Sequence, residues 1–121
     1  MKKYKTGDYE ERPWGSWEVL SDETLNPGSI VKRIIVKPSQ RLSLQYHIHR
    51  NENWFVTKGI GLATVNETVT KLEFGDTIFV PKGAAHRIEN PGDADLIIIE
   101  IQHGEILDED DIIRLQDDYN R

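Results

Sequence analysis

The 121 residues include no cysteine, which excludes disulfide staples, cysteine-ligated zinc and thiol nucleophiles. This says nothing decisive about compartment. No apolar run is long enough to cross a bilayer, and Met1-Lys2-Lys3-Tyr4-Lys5 is not followed by the apolar region of a secretory signal. The expectation is a cytoplasmic protein with no membrane partner. Cations are outnumbered, with 15 Lys and Arg against 21 Asp and Glu and a net charge of -6. That balance argues against a nucleic-acid partner gripped through its phosphates. A small phosphorylated ligand stays open, because it needs only a local cluster of cations. The length suits one domain spanning residues 1–121, with the charged and polar residues 1–11 as a flexible arm.

What the chain does have is a succession of short β-rich runs. Arg12-Pro13-Trp14-Gly15 is a turn signal leading into an alternating strand over residues 16–20. After the Asn26-Pro27-Gly28 turn, residues 30–36 mix β-branched residues with Lys32 and Arg33 and predict a second strand. Residues 41–49 predict a third. Residues 62–65 and 68–72 flank Asn66-Glu67 and predict a hairpin. Further strands are expected over 77–80 and 86–89, and residues 96–101 are apolar on both faces, as in a sheet interior. The pattern is all-β, a closed barrel or sandwich. The acidic stretch 108–115 predicts a short C-terminal helical segment.

The chemistry concentrates in Gln45-Tyr46-His47-Ile48-His49-Arg50-Asn51-Glu52. On an extended strand Gln45, His47 and His49 share one face. Glu52 follows after a short turn. Two imidazoles and a carboxylate this close suit zinc, manganese, iron, cobalt or nickel. The competing reading is two polar residues on a solvated strand face. A third imidazole, His86, follows the turn at Pro81-Lys82-Gly83 and tilts the balance toward a metal site.

His47-x-His49-x-x-Glu52 with Gly59, then Gly75 through Pro81-x-Gly83-x-x-His86-x-x-x-Asn90, resemble the two cupin motifs. That resemblance implies a double-stranded β-helix, a jelly-roll barrel with a metal inside. The gap from His49 to Glu52 is shorter than the usual cupin pattern. Counting back from Gly59 puts Gln45 and His47 at the paired-histidine positions, whereas matching the histidines directly selects His47 and His49. The set His47, His49, Glu52 and His86 is preferred because imidazole outcompetes a neutral amide, with Gln45 in reserve.

Most of the chain also resembles a narrower family, the cupin domain of type II phosphomannose isomerases. There it is usually the C-terminal part of a bifunctional mannose-1-phosphate guanylyltransferase/mannose-6-phosphate isomerase. The likeness rests on Arg12-Pro13-Trp14-Gly15, on residues 45–54, and on Pro81-x-Gly83-x-x-His86-Arg87-x-x-Asn90-Pro91-Gly92. It continues through Glu100-Ile101-Gln102-x-Gly104, Glu109-Asp110-Asp111-Ile112-Ile113-Arg114 and Asp118-Tyr119-Asn120-Arg121. Lys58 and Asn120 depart from the family pattern.

The resemblance implies a metal-dependent isomerase that interconverts mannose 6-phosphate and fructose 6-phosphate, with His49, Glu52 and Arg121 as catalytic residues. His49 is free to act as the base if Gln45 replaces it on the metal. Gln45 also borders the substrate, and Arg50, Lys82, Arg87 and Arg121 are the candidate phosphate ligands. Each of these cations could instead form a surface ion pair. Other readings are a cupin metalloenzyme of another class, such as an oxygenase or a different sugar isomerase, and a non-catalytic sugar-phosphate binder. Small barrels often pair through sheet edges, so a homodimer is expected by analogy.

Overall fold

The computed structural model describes residues 3–119. Its strands are β1 (Tyr9–Arg12), β2 (Gly15–Ser21), β3 (Ser29–Val36), β4 (Leu44–Tyr46), β5 (Arg50–Lys58) and β6 (Gly61–Val65). They continue with β7 (Thr68–Leu72), β8 (Thr77–Val80), β9 (His86–Glu89), β10 (Leu96–Gly104) and β11 (Ile113–Gln116). One sheet runs in the order β1-β2-β3-β10-β5-β8, the other β11-β4-β9-β6-β7. All the pairings are antiparallel. The two ladders stay separate, so the expected closed barrel is realised as two sheets packed face to face. No helix occurs among the described residues, hence none long and apolar enough to cross a membrane.

The core lies between the sheets. Trp14, Val36, Trp54, Val56, Leu96 and Ile98 of the larger sheet meet Ala63, Leu72 and Ile88 of the smaller. The apolar run of β10 lies between β3 and β5, as its composition requires. The hairpin at Asn66-Glu67 forms, and Asn66 takes a positive φ of 55°, a conformation asparagine tolerates better than most residues.

Three expectations change. Residues 108–115 are not helical: they turn and then enter β11, which pairs with β4 through Ile113↔Tyr46 and Arg114↔Gln45. A lone edge strand satisfied by a ladder outcompetes an eight-residue acidic helix, which is too short to be stable by itself. Farther along, Arg41 grips Asp118 through Nε and Nη2, at 2.6 and 3.0 Å, and ties the tail down. The predicted strand over 41–49 shrinks to β4, and the chain bends at Ile48 and His49 before β5. Finally, the supposed arm is packed: Tyr4 is buried with Val19, Ile30 and Leu107, and β1 pairs with β2.

Gly15 shows why the Arg12-Pro13-Trp14-Gly15 signature matters to the fold. A Cβ there would lie 1.8 Å from the Ile35 carbonyl oxygen, backbone against backbone. Gly15→Ala is therefore expected to lower the unfolding free energy by about 2–4 kcal/mol. The readout is a reduced urea midpoint with an unchanged slope.

Candidate metal centre and its cavity

Antiparallel pairing and the bend after β4 bring His47, Glu52 and His86 together. One ligand atom from each lies within 4.8 Å of the others, and the three residues are 2%, 1% and 1% exposed. Glu52 Oε2 is 3.1 Å from His47 Nε2, and Oε1 is 3.9 Å from His86 Nε2. His47 Nδ1 donates to the Asp111 carbonyl at 2.6 Å, and His86 Nδ1 to the Ala84 carbonyl at 2.9 Å. These bonds fix both tautomers and leave each Nε2 as the acceptor nitrogen.

Glu52 is braced from the other side. Arg50 Nε donates to its Oε2 at 2.9 Å, and Trp54 Nε1 to its Oε1 at 3.0 Å. Burial alone would raise this carboxyl, but the charge of Arg50, with His47 and His86 beside it, holds it well below the usual carboxylate range. Burial in turn pushes the His86 imidazole below its ordinary value, against the pull of Glu52. The donor set suits a first-row divalent ion. His86 Nε2 is buried and has no hydrogen-bond partner, which is what an atom meant for a metal looks like when no ion is present.

Gln45 is the cross-strand partner of His86, so the two side chains share a face. Its Oε1 accepts a bond from the Ser43 hydroxyl at 3.2 Å. Beside it opens a cavity of about 110 Å³, whose wall includes Gln45, Arg50, Lys32, Glu100, Trp14 and Trp17. Several of these residues come from the inner face of the larger sheet. There Lys32, Glu100 and Trp54 stand side by side on β3, β10 and β5.

Other predicted site residues are placed elsewhere. His49 sits exposed on the bend, apart from the three-residue group, because the chain leaves the strand after Tyr46 and alternation no longer governs it. Its backbone N–H donates to Asp111 Oδ2 at 2.9 Å, and His49 is neither in the three-residue group nor on the cavity wall. Lys82 is exposed on its turn, away from the cavity wall. Arg87 gives Nε to the Leu42 carbonyl and Nη1 to Gln116 Oε1, at 3.1 and 2.9 Å, joining β9 to neighbouring chain, while its Nη2 has no partner among the described residues. Arg50 does reach the cavity, since the bend resets the alternation and puts it on the same face as Glu52. Arg121 lies outside the described residues.

Comparison with known proteins fits this geometry. Residues 2–117 match the family described as mannose-6-phosphate isomerase C-terminal. The chain belongs to that family. It is 42% identical over 110 residues to the mannose-1-phosphate guanylyltransferase ManC of Salmonella typhimurium, covering 91% of this chain and 22% of that protein. An Escherichia coli mannose-1-phosphate guanylyltransferase is 43% identical over 98% of this chain and 25% of its own length. The alginate biosynthesis protein AlgA of Pseudomonas syringae pv. tomato is 44% identical over 91% and 22%. The chain thus spans about a quarter of the length of these curated relatives. Among solved structures, a Bacillus subtilis oxalate decarboxylase variant superposes with a TM-score of 0.77 at 22% identity, over 89% of this chain and 30% of that one. The Schizosaccharomyces pombe Cnp3 cupin domain gives 0.69 at 17%, over 74% and 64%. At such identities the likeness establishes the cupin fold alone.

For this isomerase C-terminal family member, two contributors to the site escaped the sequence reading. Asp111 clamps the bend, its carboxylate accepting from the Ile48 and His49 N–H groups at 2.9 Å each while its carbonyl orients His47. The acidic run hid it, because four carboxylates in succession look like a solvated helix cap. Glu100 was hidden inside an apolar run. Its oxygens accept from Trp54 Nε1 at 3.2 Å and Gln102 Nε2 at 2.9 Å. Burial first, then the charge of Glu52, push its carboxyl up to about 7, against the pull of Lys32.

Two outcomes are expected. Asp111→Ala should weaken divalent-metal affinity by roughly 10- to 100-fold in a competitive chelator titration, as loss of an orienting partner does. In chelator-treated protein, the neutral form of Glu100 contributes stability that is fully present below its ordinary value of 4.5 and is lost as pH rises through about 7. Glu52 has the opposite sign, and its contribution is lost only on acidification below 4.5. Between about pH 5 and 7 stability should therefore fall with rising pH, with a slope approaching about 1.4 kcal/mol per unit. Glu100→Gln should flatten that slope in chemical denaturation.

Proposed function

We propose that this chain is a metal-dependent aldose–ketose isomerase interconverting mannose 6-phosphate and fructose 6-phosphate. The observation carrying the reading is the buried His47–Glu52–His86 group beside a cavity that holds both a carboxyl and several cations. Family membership supplies the sugar.

The reaction moves one proton between C2 and C1 of the open-chain sugar and a second between the hydroxyl and carbonyl oxygens on those carbons, while negative charge grows on the carbonyl oxygen. A divalent ion, when bound, supplies Lewis-acid stabilisation of that charge. His47, Glu52 and His86 would hold it, with the Gln45 amide alongside. Arg50 keeps Glu52 ionised and fixed, so the ligand does not wander as charge shifts. Glu100 is the buried carboxyl on the cavity wall outside the ligand set. We assign it the proton transfer, from C2 to C1 and back, in preference to the exposed His49, which is not on the cavity wall. Trp14, Ile34 and Leu42 give the cavity an apolar wall that keeps bulk water from the carbon acid.

A coupled assay with mannose 6-phosphate and manganese, zinc or cobalt should show turnover that chelation abolishes and metal restores. Glu100→Gln should reduce kcat at least about 100-fold while metal uptake persists. Failure of every metal to support turnover, in protein that binds metal and sugar phosphate, would leave a non-catalytic binder instead.

A further inference from the structure

The inner face of β3 reads Ile30, Lys32, Ile34, Val36. Three of these four side chains are apolar core, and the fourth is an ammonium only 6% exposed. Burying an ammonium costs several kcal/mol unless partners offset it. Lys32 Nζ is flanked by two rings, 4.1 Å from the centroid of Tyr4 and 4.2 Å from that of Trp17. Those rings meet edge to face at 6.0 Å, so they form a rigid corner. Cation–π contacts hold the charge in place, but they satisfy none of its N–H donors with an oxygen. Glu100 stands directly across the ladder, yet its oxygens already accept bonds from Trp54 and Gln102. Among the described residues, none accepts a hydrogen bond from Lys32 Nζ. The ammonium instead forms part of the cavity wall.

That wall is basic on Lys32's side. Arg12, from the end of β1, and Arg114, from β11, line the same cavity. Arg12 is steadied by Glu10. Arg114 is the cross-strand partner of Gln45, which places this cationic rim next to the metal-binding group. Arg50, the fourth cation, gives Nε to Glu52 and faces His47 with Nη2, while its buried Nη1 has no partner among the described residues. Glu109 also lines the cavity, so the rim is mixed, with three cations outside the metal group's own bonds against that one carboxylate and Glu100.

We propose that Lys32, flanked by Arg12 and Arg114, is the phosphate anchor of the cavity, holding the phosphate monoester of a sugar whose reacting carbons lie toward His47, Glu52 and His86. The identity of the sugar rests on the isomerase reading; the anchor itself requires only a phosphate monoester. None of these three cations was among the sequence candidates; among the described residues, the candidates that border the cavity are Gln45 and Arg50. An ammonium pinned by two rings is preorganised, so little side-chain freedom is lost when the dianion arrives.

The test is calorimetric titration of the metal-loaded full chain with inorganic phosphate, mannose 6-phosphate and mannose, alongside steady-state kinetics. Lys32→Met, which keeps the stem and removes the charge, is expected to weaken inorganic phosphate and mannose 6-phosphate by roughly 10- to 100-fold. Mannose binding should be unchanged, and the kinetic loss should fall mainly on KM. Lys32→Arg should recover part of the affinity. Arg114→Gln, at the exposed rim, should cost about 2- to 5-fold and serves as the second variant if Lys32→Met misfolds by near-ultraviolet circular dichroism. The anchor is overturned if folded Lys32→Met binds both phosphates like the wild type, if mannose weakens by the same factor, or if Arg114→Gln is also without effect when it stands in. Phosphate losses without turnover in the wild type would remove the isomerase reading and keep the anchor. Turnover with an unchanged KM in Lys32→Met would do the reverse.

Discussion

A carboxylate, Glu52, is enclosed between two imidazoles, a guanidinium and an indole N–H, and the surrounding shell is arranged to keep it ionised there. Removing such a group from water costs several kcal/mol, and one partner seldom repays it. Here the compensation comes from two neighbouring segments and one distant in sequence. Arg50 and Trp54 flank it on β5, His47 arrives from the end of β4, and His86 opens β9. The two sheets have to stay in register for these groups to meet. The apolar core beneath them, with Val56, Leu96 and Ile88 almost fully enclosed, holds that register.

The tail is part of the same device. β11 completes the smaller sheet at its edge, and Asp111, two residues before it, reaches back to the bend between β4 and β5. A bend at that point is necessary. Were the strand to continue, His49 would share the face of His47, and Arg50 and Glu52 together would point to the opposite face. Breaking alternation there turns the carboxylate and its guanidinium partner toward His47 instead of a second imidazole. Gly104 allows the exchange, since a Cβ at that position would lie 2.5 Å from the His49 carbonyl oxygen.

Much of this was legible beforehand, and the failures share one origin. Strands whose alternation is read against local neighbours, such as β3, β6, β7 and β8, came out where the pattern put them, as did the link between His47, Glu52 and the distant His86. What failed was every inference that extended a local regularity across a point where tertiary contacts take over. His49 lost its place to a bend imposed by Asp111, a residue 62 positions away. The acidic tail carried a helix signal that an available sheet edge overrode. Arg87 looked like a ligand-side cation and proved to be a cross-brace. Counting back from Gly59 selected Gln45 and His47; His47 joins Glu52 and His86, and Gln45 is the cross-strand partner of His86.

The inner face of the larger sheet carries the functional argument further than any motif does. Lys32, Glu100 and Trp54 stand side by side across three central strands, and in the adjacent row Ile30, Gln102 and Glu52 do the same. A shell selected for stability alone would fill these positions with aliphatic side chains, which pack without desolvation cost and are often more stabilising than buried charges. Polar residues there must be satisfied or be directed at something absent. Glu100 and Glu52 have their donors, whereas among the described residues His86 Nε2, Gln102 Oε1 and Arg50 Nη1 are left without partners, and Lys32 Nζ lies against two ring faces beside the charge of Glu100. Nitrogen acceptors ask for a cation, and an ammonium asks for an anion. A ligand set for a divalent ion with an anchor for phosphate answers both demands across one cavity, and a phosphorylated sugar is the kind of molecule that bridges them.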